Sequence, residues 1–173
     1  MTIFQKLLVL GGARSGKSRL AEAQCEALPG TITYIATAQA FDTEMRERIA
    51  THRNRRSRRW RTVEAPIDLP AAIRDAQQSG PILVDCLTLW LSNLLLAEKD
   101  IGRWSEELIA AIDGCAVPIA LVSNEVGLSI VPDNALARRF RDEAGFLNQH
   151  VAAACDTVLF VAAGLPMTLK QLR

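Results

Sequence analysis

Short aliphatic runs alternate with amphipathic stretches along the whole chain. Leu7 to Leu10 is a run of four aliphatic residues that breaks into glycine, which predicts a buried strand, and Ser18 to Leu28 predicts a helix stopped by Pro29-Gly30. Thr31 to Ala36, rich in β-branched residues, predicts a second strand, followed by a polar turn at Thr37-Ala38-Gln39. Asp42 is placed to cap a helix beginning at Thr43. Trp60 to Glu64 predicts a short edge strand, and Asp68-Leu69-Pro70 opens a helix with proline in its first turn. Ile82 to Asp85 is a buried strand ending in a carboxylate, and a helix runs through Thr88 to Ala97. A helix around Trp104 to Ile112 leads to the apolar strand Pro118 to Val122 and then to Ser123-Asn124-Glu125. Val126 to Asn134 has no repeating period and holds Gly127, Pro132 and Asn134, so it reads as a loop at the same edge as Asp85. Leu136, Phe140, Ala144, Leu147 and Val151 recur at helical spacing, Thr157 to Ala162 is a last strand, and Gly164-Leu165-Pro166 begins the tail.

Besides the edge strand at Trp60 to Glu64, five strands joined by helices imply an α/β fold with a mostly parallel sheet flanked by helices and right-handed crossovers. The 173 residues suit one domain spanning 1–173, and neither a repeat nor a linker divides them. A hydrophobic share of 49% with 23% charged residues is that of a soluble globular protein, and the net charge of +1 creates no global field toward nucleic acid or membrane. Cys25, Cys86, Cys115 and Cys155 are scattered without a Cys-x-x-Cys pair, which favours reduced, partly buried thiols of a cytoplasmic protein over a disulfide frame or zinc site. The glycine-rich turn that begins at residue 11 leaves no room for a signal peptide. The longest apolar run, Ile82 to Ala97, carries Asp85 and Asn93 and is shorter than a membrane span.

The candidate chemistry starts at that turn. Gly11-Gly12-Ala13-Arg14-Ser15-Gly16-Lys17-Ser18 matches the phosphate-binding loop pattern without a departure and sits between a strand and a helix. A loop that wraps a triphosphate must aim several backbone N–H groups inward, and side chains at Gly11 or Gly16 would obstruct it. Lys17 supplies a cation for the β and γ oxygens, Ser18 a hydroxyl for Mg2+, and the helix beginning there presents its positive end to the phosphates. Asp85, at the carboxyl end of a neighbouring parallel strand, is either a Mg2+ partner and water-orienting group or an ordinary cap of the next helix.

Eight arginines lie between Met45 and Arg61, and His52 stands among them on one helix face with Met45 and Ile49. Crowding by Arg48, Arg53, Arg55 and Arg56 disfavours imidazolium and keeps the ring nucleophilic, while the same arginines would clamp phosphates. From these residues alone two readings stand. One is a nucleophile that attacks phosphorus; the other, the commoner fate of a basic helix with one histidine, is a solvated or nucleic-acid-facing surface, and the near-neutral net charge argues against nucleic acid. His150, near the end of the last amphipathic helix, has a structural role in either reading.

The sequence resembles the bifunctional adenosylcobinamide kinase and adenosylcobinamide-phosphate guanylyltransferase family of cobalamin biosynthesis. The resemblance rests on Gly11 to Ser18, Tyr34 to Gln39, Asp42 to Arg53, Trp60 to Glu64, Asp85 to Thr88, Asn124 to Gly127, Ile130 to Pro132 and Ala137 to Asp142, in that order along nearly the whole chain. The Asn-Glu-Val-Gly to Ile-Val-Pro segment is more specific than the phosphate loop. The resemblance implies a P-loop NTPase fold of RecA-like type and a homotrimer. It implies ATP- or GTP-dependent phosphorylation of adenosylcobinamide, with Lys17 catalytic at the loop. It further implies guanylyl transfer from GTP to adenosylcobinamide phosphate through His52. Thr37, Ala38, Gln39, Arg53, Asn54, Arg55, Arg56, Glu64 and Asp85 would then join the loop in nucleotide binding, and Ser18 and Asp85 would hold Mg2+. Neither nucleic acid nor a membrane span belongs to that picture.

Overall fold

The structure, a computed structural model, describes residues 4–38, 58–78 and 80–172. Its layers follow from the aliphatic runs. In β1 (Lys6–Gly11), Leu8 and Leu10 enter one buried cluster and Leu7 and Val9 another. The same division runs through β4 (Ile82–Asp85) and β5 (Ile119–Asn124): Ile82, Val84, Ile119 and Leu121 face one cluster, Leu83, Ala120 and Val122 the other. Strands that are apolar on both faces need cover on both, which is why these runs carry no polar alternation. On the first side pack α2 (Leu69–Ala76), α3 (Leu87–Leu96), α4 (Ile101–Asp113) and α5 (Ala135–Ala154). On the second lies α1 (Lys17–Glu26), through Ala21 and Cys25. Trp90 of α3 is wholly buried and donates its indole N–H to the Ile67 carbonyl at 2.7 Å, so its one polar atom is satisfied inside the core.

With β2 (Ile32–Ala36), β3 (Trp60–Glu64), β6 (Thr157–Ala162) and β7 (Leu165–Gln171), the described strands form one seven-stranded sheet in the order β3-β2-β4-β5-β1-β6-β7. Every neighbouring pair is parallel except β6–β7. The expected edge strand at Trp60 to Glu64 is β3. The expected tail is corrected: Ala163 and Gly164, at φ 52° and 79°, make a tight two-residue turn, and Leu165 to Gln171 return antiparallel along β6. Pro166 breaks the sequence pattern for a central strand but is tolerated in an edge strand, and β7 is one.

Helix starts are set by side-chain caps. Asp68 accepts from the Ala71 amide at 3.1 Å and Asn134 from the Ala137 amide at 2.7 Å. Asp100 accepts from the Arg103 amide at 3.1 Å, which starts α4 at Ile101, three residues before the periodicity alone predicts. The cap expected at Asp42 and the helix from Thr43 lie outside the described residues. All four cysteines are free and buried. No helix of the described residues is long and apolar enough to cross a membrane.

Candidate nucleotide site

The turn from β1 into α1 is held from behind by the β6–β7 turn. A Cβ on Gly11 would stand 2.5 Å from the Val161 carbonyl oxygen and 2.6 Å from Ser15 Oγ, so only glycine fits. Gly16 adopts φ 98°, and a Cβ there would meet Gly164 Cα at 3.3 Å. The Gly164 amide donates to the Ser15 carbonyl at 2.9 Å, closing the contact. Ala13 and Arg14 form the exposed crest of the loop, with Arg14 at φ 56°. Gly16 is the N-cap of α1 and lends no side-chain acceptor to the first-turn amides, which suits them to an anion. Lys17, only 8% exposed, donates its ammonium to the Gly12 carbonyl at 3.0 Å and so arches over the loop; Ser18 follows, half-buried, in the first turn. The lysine thus lies over the loop where β1 passes into the helix start.

Asp85 is not on the strand beside β1. β5 intervenes, with Asn124 opposite Gly11 and Val122 opposite Asp85. By strand alternation Asp85 shares the face of Leu83, the side of the sheet that α1 covers. Burial raises the Cys86 thiol to about 11 and the Asp85 carboxylate pushes the same way, while Lys17 acts against them. The residue that flanks the first glycine of the loop is therefore Asn124, and the next amide, that of Glu125, donates to the Gly11 carbonyl at 3.1 Å.

Thr37 is fully buried, and its hydroxyl is engaged in the scaffold. It donates to the Cys86 carbonyl at 2.7 Å and accepts from the Cys86 amide at 2.8 Å, while the Asn93 side chain donates to the Thr37 carbonyl at 2.8 Å. Its side chain thus positions the Asp85–Cys86 corner, leaving half-buried Ala38 as the more open neighbour. Glu64 is exposed at the end of β3, four strand steps from β1. At about 4.8 Å per step that is about 19 Å, too far for a contact with a phosphate held at Lys17. Gln39, His52, Arg53, Asn54, Arg55 and Arg56 lie outside the described residues.

A buried polar chain behind this edge was not anticipated. The Thr88 hydroxyl accepts from the Asn124 amide at 2.7 Å and lies 3.4 Å from Ser123 Oγ. Ser123 Oγ donates to Asn148 Oδ1 at 2.7 Å, and Asn148 Nδ2 donates to the Asn124 carbonyl at 3.2 Å. The chain locks the end of β5 to α3 and α5. Its signal in the sequence is Asn148, a polar residue four positions from Ala144 on the apolar stripe of α5. A separate groove of about 970 Å³ between α4 and α5, lined by Ile109, Phe146 and His150 among others, holds none of the nucleotide residues.

This fold and loop define a P-loop nucleoside-triphosphate-binding protein. Solved structures with the same architecture include the flagellar accessory protein FlaH from Methanocaldococcus jannaschii (TM-score 0.56, 12% identity, 96% of this chain and 78% of that one). Another is an ATPase from a bacterial type III secretion system (TM-score 0.56, 14% identity, 95% and 56%). At such identities the likeness concerns the fold alone. The family described as cobinamide kinase / cobinamide phosphate guanyltransferase matches residues 7–169. The chain is 51% identical to the bifunctional adenosylcobalamin biosynthesis protein CobP of Pseudomonas aeruginosa, covering 94% of this chain and 96% of that one. It is 43% identical to CobU of Salmonella typhimurium, covering 95% and 99%. The chain belongs to the cobinamide kinase / cobinamide phosphate guanyltransferase family and is a bifunctional enzyme of cobalamin biosynthesis.

Proposed function

We propose that the chain phosphorylates adenosylcobinamide from ATP or GTP at the loop Gly11 to Ser18 and then passes GMP from GTP to the product through His52. The observation that carries the kinase half is the buried Lys17 ammonium, bonded across the loop to the Gly12 carbonyl at 3.0 Å beside an uncapped helix start. In that half, the aminopropanol hydroxyl oxygen of adenosylcobinamide attacks the γ-phosphorus, the bond to the bridging β–γ oxygen breaks, and the nucleoside diphosphate leaves. Lys17 and the loop amides carry the charge on the transferring group. Asp85 and Glu125, by position, are candidates to receive the hydroxyl proton.

In the second half, a ring nitrogen of His52 attacks the α-phosphorus of GTP, a P–N bond forms, and the α–β P–O bond breaks with release of pyrophosphate. A phosphate oxygen of adenosylcobinamide phosphate then attacks the same phosphorus, the P–N bond breaks, and adenosylcobinamide-GDP leaves. Ala38, Gln39, Arg53, Asn54, Arg55, Arg56 and Glu64 bind the guanine nucleotide, and Thr37 serves by fixing the corner at Asp85. Ser18 and Asp85 offer the hard oxygen donors that Mg2+ takes, and the ion would neutralise phosphate charge there. The protein acts in the cytoplasm as a homotrimer, a reading supported by family resemblance.

The test is to incubate the protein with Mg2+ and GTP labelled on either the α or the γ phosphorus and to separate it under denaturing conditions. We expect retention of the α label only, acid-labile and absent from His52→Ala, while Lys17→Ala loses kinase turnover. Absence of retained label in a folded protein that binds GTP would remove the guanylyl-histidine from the reading.

A further inference from the structure

The chain leaving β5 turns apolar side chains to solvent beside the phosphate loop. Leu128, Ile130 and Val131 are 83%, 94% and 62% exposed, and Leu136 in the first turn of α5 is 59% exposed. Single exposed leucines are ordinary; a cluster within a few positions marks a contact surface. The loop is also held in shape. The Gly127 amide donates to Glu125 Oε1 at 2.6 Å and Ser129 Oγ to the Val126 carbonyl at 3.1 Å. Arg138 donates to the carbonyls of Pro132 at 3.0 Å and Asp133 at 2.8 Å. The Gly127 amide and the carbonyls of Val126, Pro132 and Asp133 are thus engaged within the loop and by α5, while the large apolar side chains are exposed. The base of the loop is tied to the phosphate loop, because the Glu125 amide donates to the Gly11 carbonyl at 3.1 Å.

A phosphoryl acceptor must approach the γ-phosphorus over this edge of the sheet, and the acceptor of this family is a cobinamide, a broad corrin ring fringed with methyl and amide groups. The geometry points to the loop from Val126 to Pro132 as the docking lip for the apolar body of that corrin, an assignment that rests on the kinase reading above. It grips the ring while the phosphate loop grips the nucleotide, so acceptor and donor are aligned from two sides of Gly11. A second copy of the chain fits this surface less well. A stable protein interface takes about 800 Å² from each partner, so a seven-residue loop does not by itself make the subunit interface of the homotrimer.

The experiment is steady-state kinase assay of wild type and a Leu128→Ser/Ile130→Ser double variant, varying adenosylcobinamide and ATP separately, with sedimentation of both proteins. Both replaced side chains are exposed, so folding does not depend on them. We expect the KM for the corrinoid to rise at least about tenfold, in line with losing one to two buried aliphatic contacts, with the KM for ATP and the sedimentation of wild type retained. A corrinoid KM within about twofold of wild type, against the minimum of about tenfold expected from the lost burial, overturns the docking lip and leaves the kinase intact. A changed oligomeric state assigns the surface to a second copy and overturns it too. A wild type that binds ATP yet phosphorylates no cobinamide overturns the kinase reading and the lip together.

Discussion

The loop after β1 and the loop after β5 leave the same edge of the sheet and meet at Gly11, whose carbonyl accepts the Glu125 amide at 3.1 Å. The first is built of backbone: glycines pressed against Val161 and Gly164, with a buried lysine arched over them. The second is built of side chains, with Leu128, Ile130 and Val131 in solvent. Their supports differ accordingly. The first rests on a hairpin turn behind it, whereas the second is held through α5 and by the polar chain from Thr88 to Asn148 at its root. A phosphate-gripping loop needs its amides in one conformation, so contacts at backbone level constrain it. An apolar lip needs only a stable base and side chains left out.

The sharpest way to break the comparison is to fill the space behind the first loop. Gly11→Ala forces a methyl against the Val161 carbonyl, where only backbone movement relieves it. We expect a loss of about 1–3 kcal/mol in denaturant unfolding and at least about tenfold weaker nucleotide binding. Gly12→Ala, with nothing within 4 Å of the added carbon, should leave unfolding stability of the ligand-free protein within about 0.5 kcal/mol of wild type. Equal losses in the two variants would show that the hairpin does not constrain the loop.

Removing the root of the second loop should cost a similar amount of stability but spare nucleotide binding. Asn148→Leu keeps the volume near that of the buried residue but deprives the Asn124 carbonyl and the Ser123 hydroxyl of a partner. Unfolding stability should fall by about 1–3 kcal/mol, and the corrinoid KM should rise more than the ATP KM. A larger rise in the ATP KM would mean that the polar chain serves the phosphate loop instead.

The smallest effect concerns the thiols. Burial first, then neighbouring carboxylates, raise Cys25 and Cys155 from 9.0 to about 12. A thiol that ionises less readily folded than unfolded contributes stability that is complete below the unfolded value. That contribution shrinks as pH climbs from about 9 toward 12, because the unfolded chain gives up its protons first. Alkylation at pH 8 should therefore leave these thiols unlabelled in the native protein and label them in denaturant. Rapid native labelling would contradict their burial.

Much of this was legible along the chain. The phosphate loop was readable because its chemistry is local: glycine spacing, a lysine and a hydroxyl within eight residues, between a strand and a helix. The order of strands was not, since a run such as Ile82 to Asp85 reads the same whether it lies beside β1 or one place removed. Asp85 was accordingly expected a strand too close, and Asn124 took the place beside Gly11. Thr37 is placed among the nucleotide-binding residues by the family resemblance alone, and only the structure shows its hydroxyl bonded to both the carbonyl and the amide of Cys86.

What the sequence by itself determined is the set of buried strands, the helix start at Asp68 and the loop that receives phosphate, because each depends on residues within a few positions of one another. Only the tertiary structure decided which strand ends lie side by side, that the last residues fold back as β7 to brace the loop from behind, and that Asn148 reaches Asn124 across 24 positions. Those outcomes depend on which apolar faces find cover and which buried polar groups find partners, and such partners are set by packing, not by spacing along the chain.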